Sequence, residues 1–437
     1  MTLRFVILLA LGGSAWGQAI PLADPAEVAR LYRHLLPQIE KIGIFDNHAH
    51  PGFADDPDVD AMASPPGSSA LRTRADNPEL VAAAKDLFGY PYADFNPEHA
   101  AWLIEKKQGF KKAGPAYFDG ILDKLGISES VANRVSMPGY LDPKRFRWVC
   151  FADSFLFPFD NRDLIAVNGD QQVYIPLQEK KLQRELAAAG ASGLPGSLDE
   201  YLAFVTRTLE ANKRNGAIGV KFEAAYFRSL YFSDPPKELA AKIYATYHTG
   251  GRASARDYTN FQDYVFRHIV RESGRLGLSV HFHTCVGIGD YFSLQNGNIL
   301  NLENVLRDPR YSNVNFVMIH GGYPRDREAI WLAARKNVYI DSSFTELVLY
   351  PSQFKDVLRQ WLEVFPEKVV FGSDAFPFND ALGAEECYWL AVKSARSALA
   401  AALAEMIALH EIDETRALAM AHAYLHDTAS ALYPKPQ

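Results

Sequence analysis

Residues 43–52 read GIFDNHAHPG, an apolar run that ends in two histidines one residue apart. On a β-strand alternate side chains share a face, so Asp46, His48 and His50 should point the same way. Two imidazoles stacked at the end of one strand bind a divalent ion. An isolated His-x-His pair is equally at home in a solvated turn, so the rest of the chain has to decide. LSVHFHTCVGIGD sets His281 and His283 at the end of a second apolar run, VNFVMIHGGYP ends a third on His320, and KVVFGSDAFP ends a fourth on Asp374. Five of the twelve histidines therefore close strand-like runs. The others lie in helical or loop-like stretches and read as structural. Imidazoles and a carboxylate drawn from the ends of different strands predict a metal centre, because packing alone gives no reason for them to recur there.

Such convergence requires a scaffold that aims several strand ends at one point. Short β-branched or aromatic runs are expected as strands at 42–48, 130–137, 145–152, 217–226, 278–284, 314–320, 337–342 and 368–373. Amphipathic stretches such as FQDYVFRHIVRESGRLG and REAIWLAARKN separate the later ones. Strands alternating with helices imply parallel βαβ units, and eight of them predict a closed (β/α)8 barrel of the TIM type with its site at the C-terminal strand ends. Three connections, at about 52–118, 154–215 and 227–260, are too long for simple loops and are expected as helical insertions over the catalytic face. Residues 385–432 read as an Ala- and Leu-rich helical tail.

Composition narrows the partners. The 437 residues are 48% hydrophobic and 22% charged, with a net charge of −7. An acidic surface without a Lys/Arg cluster offers no attraction to nucleic acid or anionic membrane, so the partner is expected to be a small molecule. The opening MTLRFVILLALGGSAWGQA has one basic residue, a short apolar stretch and then small residues, the pattern of a secretory signal peptide over residues 1–19. The mature protein is then expected to be exported, periplasmic or secreted, with no membrane span. Cys150, Cys285 and Cys387 form no CxxC and read as buried free thiols.

Taken in order, FDNHAHP, GVKFEAAY, HFHTCVGIGD, IHGGYP, NVYIDSS and FGSDAFP resemble the amidohydrolase superfamily. The likeness is to the amidohydrolase-related (amidohydrolase 2) branch, which includes the domain fused to glutamine-synthetase-like proteins. The resemblance implies a distorted (β/α)8 barrel and a divalent metal, with one zinc ion the simplest case. It also implies roles. His48, His50, His283 and Asp374 would hold the ion, His281 being an alternative ligand or a supporting partner, and Asp374 would be the general base. His320 would bind a second ion or stabilise charge on the substrate oxygen. Lys221 decides between those roles: carboxylated it bridges two ions, whereas as an ammonium it repels a second one and clamps a substrate carboxylate. Cys285 stands where the branch usually has glycine and reads as a packed thiol. Arg325, Tyr226, Glu223 and His281 are the substrate-contact candidates.

The reaction expected is metal-assisted hydrolysis of a small amide, lactone or ester. The same scaffold supports a non-oxidative decarboxylase, a sugar-acid isomerase, or a catalytically silent exported binding protein. The silent reading predicts lost ligands, and none is lost here. Pairing of subunits through the insertions is a further expectation.

Overall fold

The computed structural model describes residues 22–60 and 70–434, so the leader expected over residues 1–19 lies outside the described residues. Eight strands run in sequence order around one sheet: β1 Ile44–Ala49, β2 Ile127–Arg134, β3 Phe146–Phe151, β4 Ala217–Phe222, β5 Ser279–His283, β6 Phe316–Ile319, β7 Val338–Asp341 and β8 Val369–Val370. Every adjacent pair is parallel. β1 closes the ring against the segment that follows β8, through Asn47 N–H to Phe371 O at 2.8 Å and His50 N–H to Ala375 O at 2.7 Å. Helices cover the outside, and the expected (β/α)8 barrel is present.

Strand bounds depart from the sequence expectation where the hydrogen-bond ladder stops early. β2 begins three residues sooner than expected, and β8 is only two residues long. The remainder of 368–373 leaves the ladder with β7: the Phe371 carbonyl accepts from Asn47 N–H, the Ser373 N–H donates to the His48 carbonyl, and the Phe371 N–H donates to the Tyr424 carbonyl of the tail. On β1 the register shifts between Asp46 and Ala49. The expected shared face of Asp46, His48 and His50 therefore fails at Asp46, which joins Ser130 and Ser373.

The three long connections fold as helices. Pro78–Phe88, Pro97–Lys111 and Pro115–Leu125 follow β1, Gly169–Ala188 and Leu198–Arg214 lie between β3 and β4, and Lys237–Tyr247 follows β4. Prolines are the first residues of helices at positions 78, 97, 115 and 351. At that position a missing N–H leaves no hydrogen bond unmade. The first insertion is tied down by buried cations. Arg72 forks onto Glu79 at 2.6 Å and donates to the Glu346 carbonyl at 2.7 Å, while Lys107 reaches Glu386 at 2.6 Å.

Pro25–Ile39, a helix the sequence reading does not anticipate, packs beside the 25-residue Ala384–Ala408 helix. The latter is buried along most of its length, and its alanines let neighbouring helices approach on several sides. No helix among the described residues is long and apolar enough to cross a membrane.

The barrel floor is packed by Phe45, Val131, Val149, Val317 and Val370 against Ala429, Leu432 and Tyr433 of the C-terminal tail. The Tyr433 hydroxyl lies 2.7 Å from Asn47 Oδ1 and 2.8 Å from His281 Nε2. Asn47 in turn donates to Asp341 Oδ2 at 2.7 Å. The tail thus supplies the polar partner for two strands from beneath the site.

Two predictions follow from this packing. Tyr433→Phe leaves Asn47 and His281 short of a buried partner and should lower unfolding stability by about 1–3 kcal/mol, read as a shifted urea midpoint. The three cysteines are free and buried, and burial pushes Cys150 up to about 12 and Cys285 up to about 11. A neutral thiol is a poor nucleophile. Ellman's reagent at pH 8 should therefore label no thiol in the native protein and all three after denaturation.

Candidate metal centre

The residues singled out from the strand ends meet at the barrel mouth. His48 Nε2 lies 3.1 Å and His50 Nε2 3.5 Å from Asp374 Oδ1. The His48 and His320 rings are 5.5 Å apart and those of His283 and His320 are 4.6 Å apart. All five side chains are buried. His50, His283, His320 and Asp374 line an open cleft of about 320 Å³ together with Asp60, Glu223, Tyr226 and Phe344.

The backbone at this mouth is unusual. Cys285, His320, Phe344 and Asp374 have φ of 52°, 68°, 66° and 48°. They follow β5, β6, β7 and β8 respectively. Left-handed backbone in non-glycine residues costs energy and persists only where surrounding contacts over-determine it. Here it turns His320 and Asp374 back across the strand ends, toward His48. Asp374 is fixed by its N–H to the His48 carbonyl at 2.8 Å, shared with the Ser373 N–H at 3.0 Å. Gly372 makes room beneath, since a Cβ there would meet the Asp341 carboxylate at 2.3 Å.

The charge states suit metal binding. Burial, and then the Lys221 charge, push His48 well below its ordinary value. Burial pushes His283 well below and His320 down to about 4. These imidazoles are neutral at pH 7, as metal ligands must be. Burial alone would raise the Asp374 carboxyl, but contact with His320, His48 and His50 outweighs it and holds the group well below the usual carboxylate range. An ionised carboxylate therefore sits among neutral imidazoles.

Tautomers follow from the partners. His320 Nδ1 is 3.1 Å from the Ser343 carbonyl and 3.1 Å from the Ser343 hydroxyl; the carbonyl can only accept, so a proton on Nδ1 satisfies it and leaves the lone pair on Nε2. His320 is thereby presented as a ligand, and as a hydrogen-bond donor to substrate oxygen it would need a second proton.

A cation fits these residues. His48, His320 and Asp374 offer ligand atoms that all lie within 4.8 Å of one another. Both ring nitrogens of His48 are buried without a hydrogen-bond partner, as is His283 Nε2. Orphaned imidazole nitrogens around a carboxylate are what a missing positive charge would satisfy. The compact set contains His320 where the sequence analysis placed His283. His283 borders it, with Nδ1 3.1 Å from His320 Nε2, and His50 borders it through Asp374.

The other expected residues divide. Glu223 and Tyr226 are on the cleft wall, the Tyr226 ring 4.6 Å from that of His283. Lys221 is buried on β4 opposite His281 on β5, and its charge lowers His48, His281 and His283. His281 is taken up by Ser279 and Tyr433 one layer below the cleft. Arg325 is exposed and paired with Glu328 at 3.2 Å, outside the ring of imidazoles. Cys285 is buried with a free thiol.

Asp60 is the wall residue that sequence reasoning missed. It comes from the first insertion, placed by an isolated bridge between Val59 and Arg134. Its local signal, one acid in the run DDPDVD, does not distinguish it from its solvated neighbours.

Comparison with known proteins bears on the fold and the family. The chain aligns over 91% of its length with a crystal structure from Lactobacillus casei classed as a metal-dependent hydrolase, covering 97% of that chain at a TM-score of 0.65 and 18% identity. Uronate isomerase of Thermotoga maritima aligns at a TM-score of 0.59 and 11% identity, covering 94% of this chain and 98% of that one. Likenesses at such identity establish the fold. Protein fluG of Emericella nidulans is 27% identical over 156 residues, which is 35% of this chain and 17% of that protein. The amidohydrolase profile Amidohydro_2 matches residues 195–435, more than half of the chain and a span that includes β5 to β8 with His283, His320 and Asp374. The chain belongs to the amidohydrolase family.

Proposed function

We propose that this protein is an exported, zinc-dependent hydrolase that adds water to a small amide, lactone or ester. The observation that carries the reading is an ionised Asp374 held 3.1 Å from His48 at the wall of a cleft ringed by neutral imidazoles. Export rests on the leader pattern of residues 1–19 alone.

Nitrogen and oxygen donors from His48, His320 and Asp374, bordered by His50 and His283, suit zinc, and one ion accounts for the compact set. Bound there, a zinc ion supplies Lewis acidity to a carbonyl oxygen and lowers the pKa of water. The protein's own groups do the rest. Asp374, ionised and facing the cleft, accepts the proton of the attacking water and returns it to the departing nitrogen or oxygen. The Ser343 carbonyl keeps His320 in the tautomer that directs its lone pair inward. An ammonium at Lys221, on β4 opposite His281, would oppose a second cation, which favours the mononuclear form.

Non-oxidative decarboxylation on the same scaffold is the second reading. It asks Asp374 to deliver a proton, and a carboxylate held ionised is the poorer donor. A sugar-acid isomerase would need a cation for the substrate carboxylate; of the expected candidates, Arg325 is engaged by Glu328 and Lys221 lies beneath the cleft.

Asp374→Asn should lower turnover by about 10²–10⁴-fold while elemental analysis finds the ion retained. An Asn variant with undiminished turnover would refute the mechanism. The double variant His48→Ala, His320→Ala should purify without zinc, against one ion per chain in the wild type, and a wild-type stoichiometry near two would refute the mononuclear form.

A further inference from the structure

The wall of the cleft, next to the imidazoles, carries two carboxyl groups that the hydrolytic mechanism does not use. Glu223 is the first residue after β4, held by its N–H to Asp153 Oδ2 at 2.8 Å. Asp60 arrives from the other side of the mouth, and its Oδ2 lies 3.8 Å from His50 Nδ1. Both are at least nine-tenths buried, both line the cleft, and their side chains hydrogen-bond to each other. A carboxyl–carboxyl hydrogen bond requires one shared proton, so the pair holds a single negative charge.

The pair is not internally complete. Glu223 Oε2 is buried without a hydrogen-bond partner on the wall of the cleft. An orphaned acceptor in that position is costly unless a ligand supplies a donor. Lys181 and Lys221 are within Coulombic reach of both carboxyls, yet neither is among the cleft-lining residues. A donor must therefore arrive with the substrate. An anionic group at the same place would meet the negative charge the pair shares and an oxygen that accepts rather than donates.

We propose that Asp60 and Glu223 select the substrate of this hydrolase: they accept an amino or hydroxyl group carried beside the scissile carbonyl and turn away substrates with a carboxylate or phosphate there. The substrate class is then a small amide, lactone or ester of an amino or hydroxy acid. This rests on the hydrolase reading for the position of the scissile carbonyl, but its test is an equilibrium measurement that does not require turnover.

Four hydroxamates that differ only beside the metal-binding group separate the possibilities on the zinc-loaded protein: glycine hydroxamate, glycolohydroxamate, acetohydroxamate and malonic monohydroxamate. Calorimetry should give at least one donor-bearing probe a Kd tenfold or more below that of acetohydroxamate, and malonic monohydroxamate a weaker Kd than either. A gain confined to glycine hydroxamate assigns the wall to a cation, and a gain confined to glycolohydroxamate assigns it to a hydroxyl. In Glu223→Met, and independently in Asp60→Asn, the gap between donor-bearing and donor-free probes should close to within about twofold. Equal Kd values across the wild-type series, tight malonic binding, or a gap that survives both substitutions would overturn the proposal while leaving the metal centre standing. Failure of all four probes to bind would overturn the metal centre, and the proposal with it.

Discussion

The rest of the site depends on the seam where the barrel closes. His48 contributes its side chain to the metal centre and its carbonyl to the seam, where it accepts the N–H groups of both Ser373 and Asp374. The hydrogen bonds that turn an open sheet into a barrel are therefore the ones that set Asp374 beside His48. Asp46 reinforces the same join from the other face of β1, its carboxyl gripping Ser373 through the N–H at 2.7 Å and the hydroxyl at 2.9 Å. Burial pushes that carboxyl up to about 7. Loosening this seam would separate Asp374 from the imidazoles.

Closing the ring in this way carries a cost that falls on the same residues. The chain leaves β6 and β8 through left-handed backbone at His320 and Asp374. Elsewhere glycine is the usual residue for such a conformation. Here the side chains that do the chemistry occupy it, and the energy is offset by burial and by the hydrogen bonds to Ser343 and His48. Burial then does a second job. It keeps the imidazoles neutral, and the neutral rings leave Asp374 as the ionised group facing them.

The parts of the site read correctly from the chain are those with a local signal. HxH, HFH, IHGG and GSDAF each end an apolar run, and a parallel barrel brings such ends together whatever the helices between them look like. Face assignment was less legible. Strict alternation put Asp46 with His48, and the register shift in β1, invisible in the sequence, moved it into the seam. Arg325 was expected at substrate because it flanks the IHGGYP block and can partner a carboxylate or phosphate, yet it sits three residues before Glu328 and takes the ion pair that helical spacing allows. Tyr433 had no signal at all. An aromatic near the end of a helical tail reads as ordinary packing until the tail is seen to enter the barrel floor.

Asp60 shows most clearly why specificity is harder to read than chemistry. The metal-binding side chains are delivered by strands whose direction the fold dictates. The carboxyl pair is delivered half by the end of a strand, Glu223 following β4, and half by an insertion held through a bridge at Val59 and a hydrogen bond from Arg134 to Asp56 at 2.6 Å. Arg134 ends β2, so the insertion is registered to the barrel by a buried cation, with no strand in the sheet among its described residues. If Asp60 selects the substrate as proposed, exchanging the loop that Arg134 holds would change that selection while the strand ends that carry the imidazoles and Asp374 stay in place. Asp60 approaches those strand ends at His50, its Oδ2 3.8 Å from Nδ1.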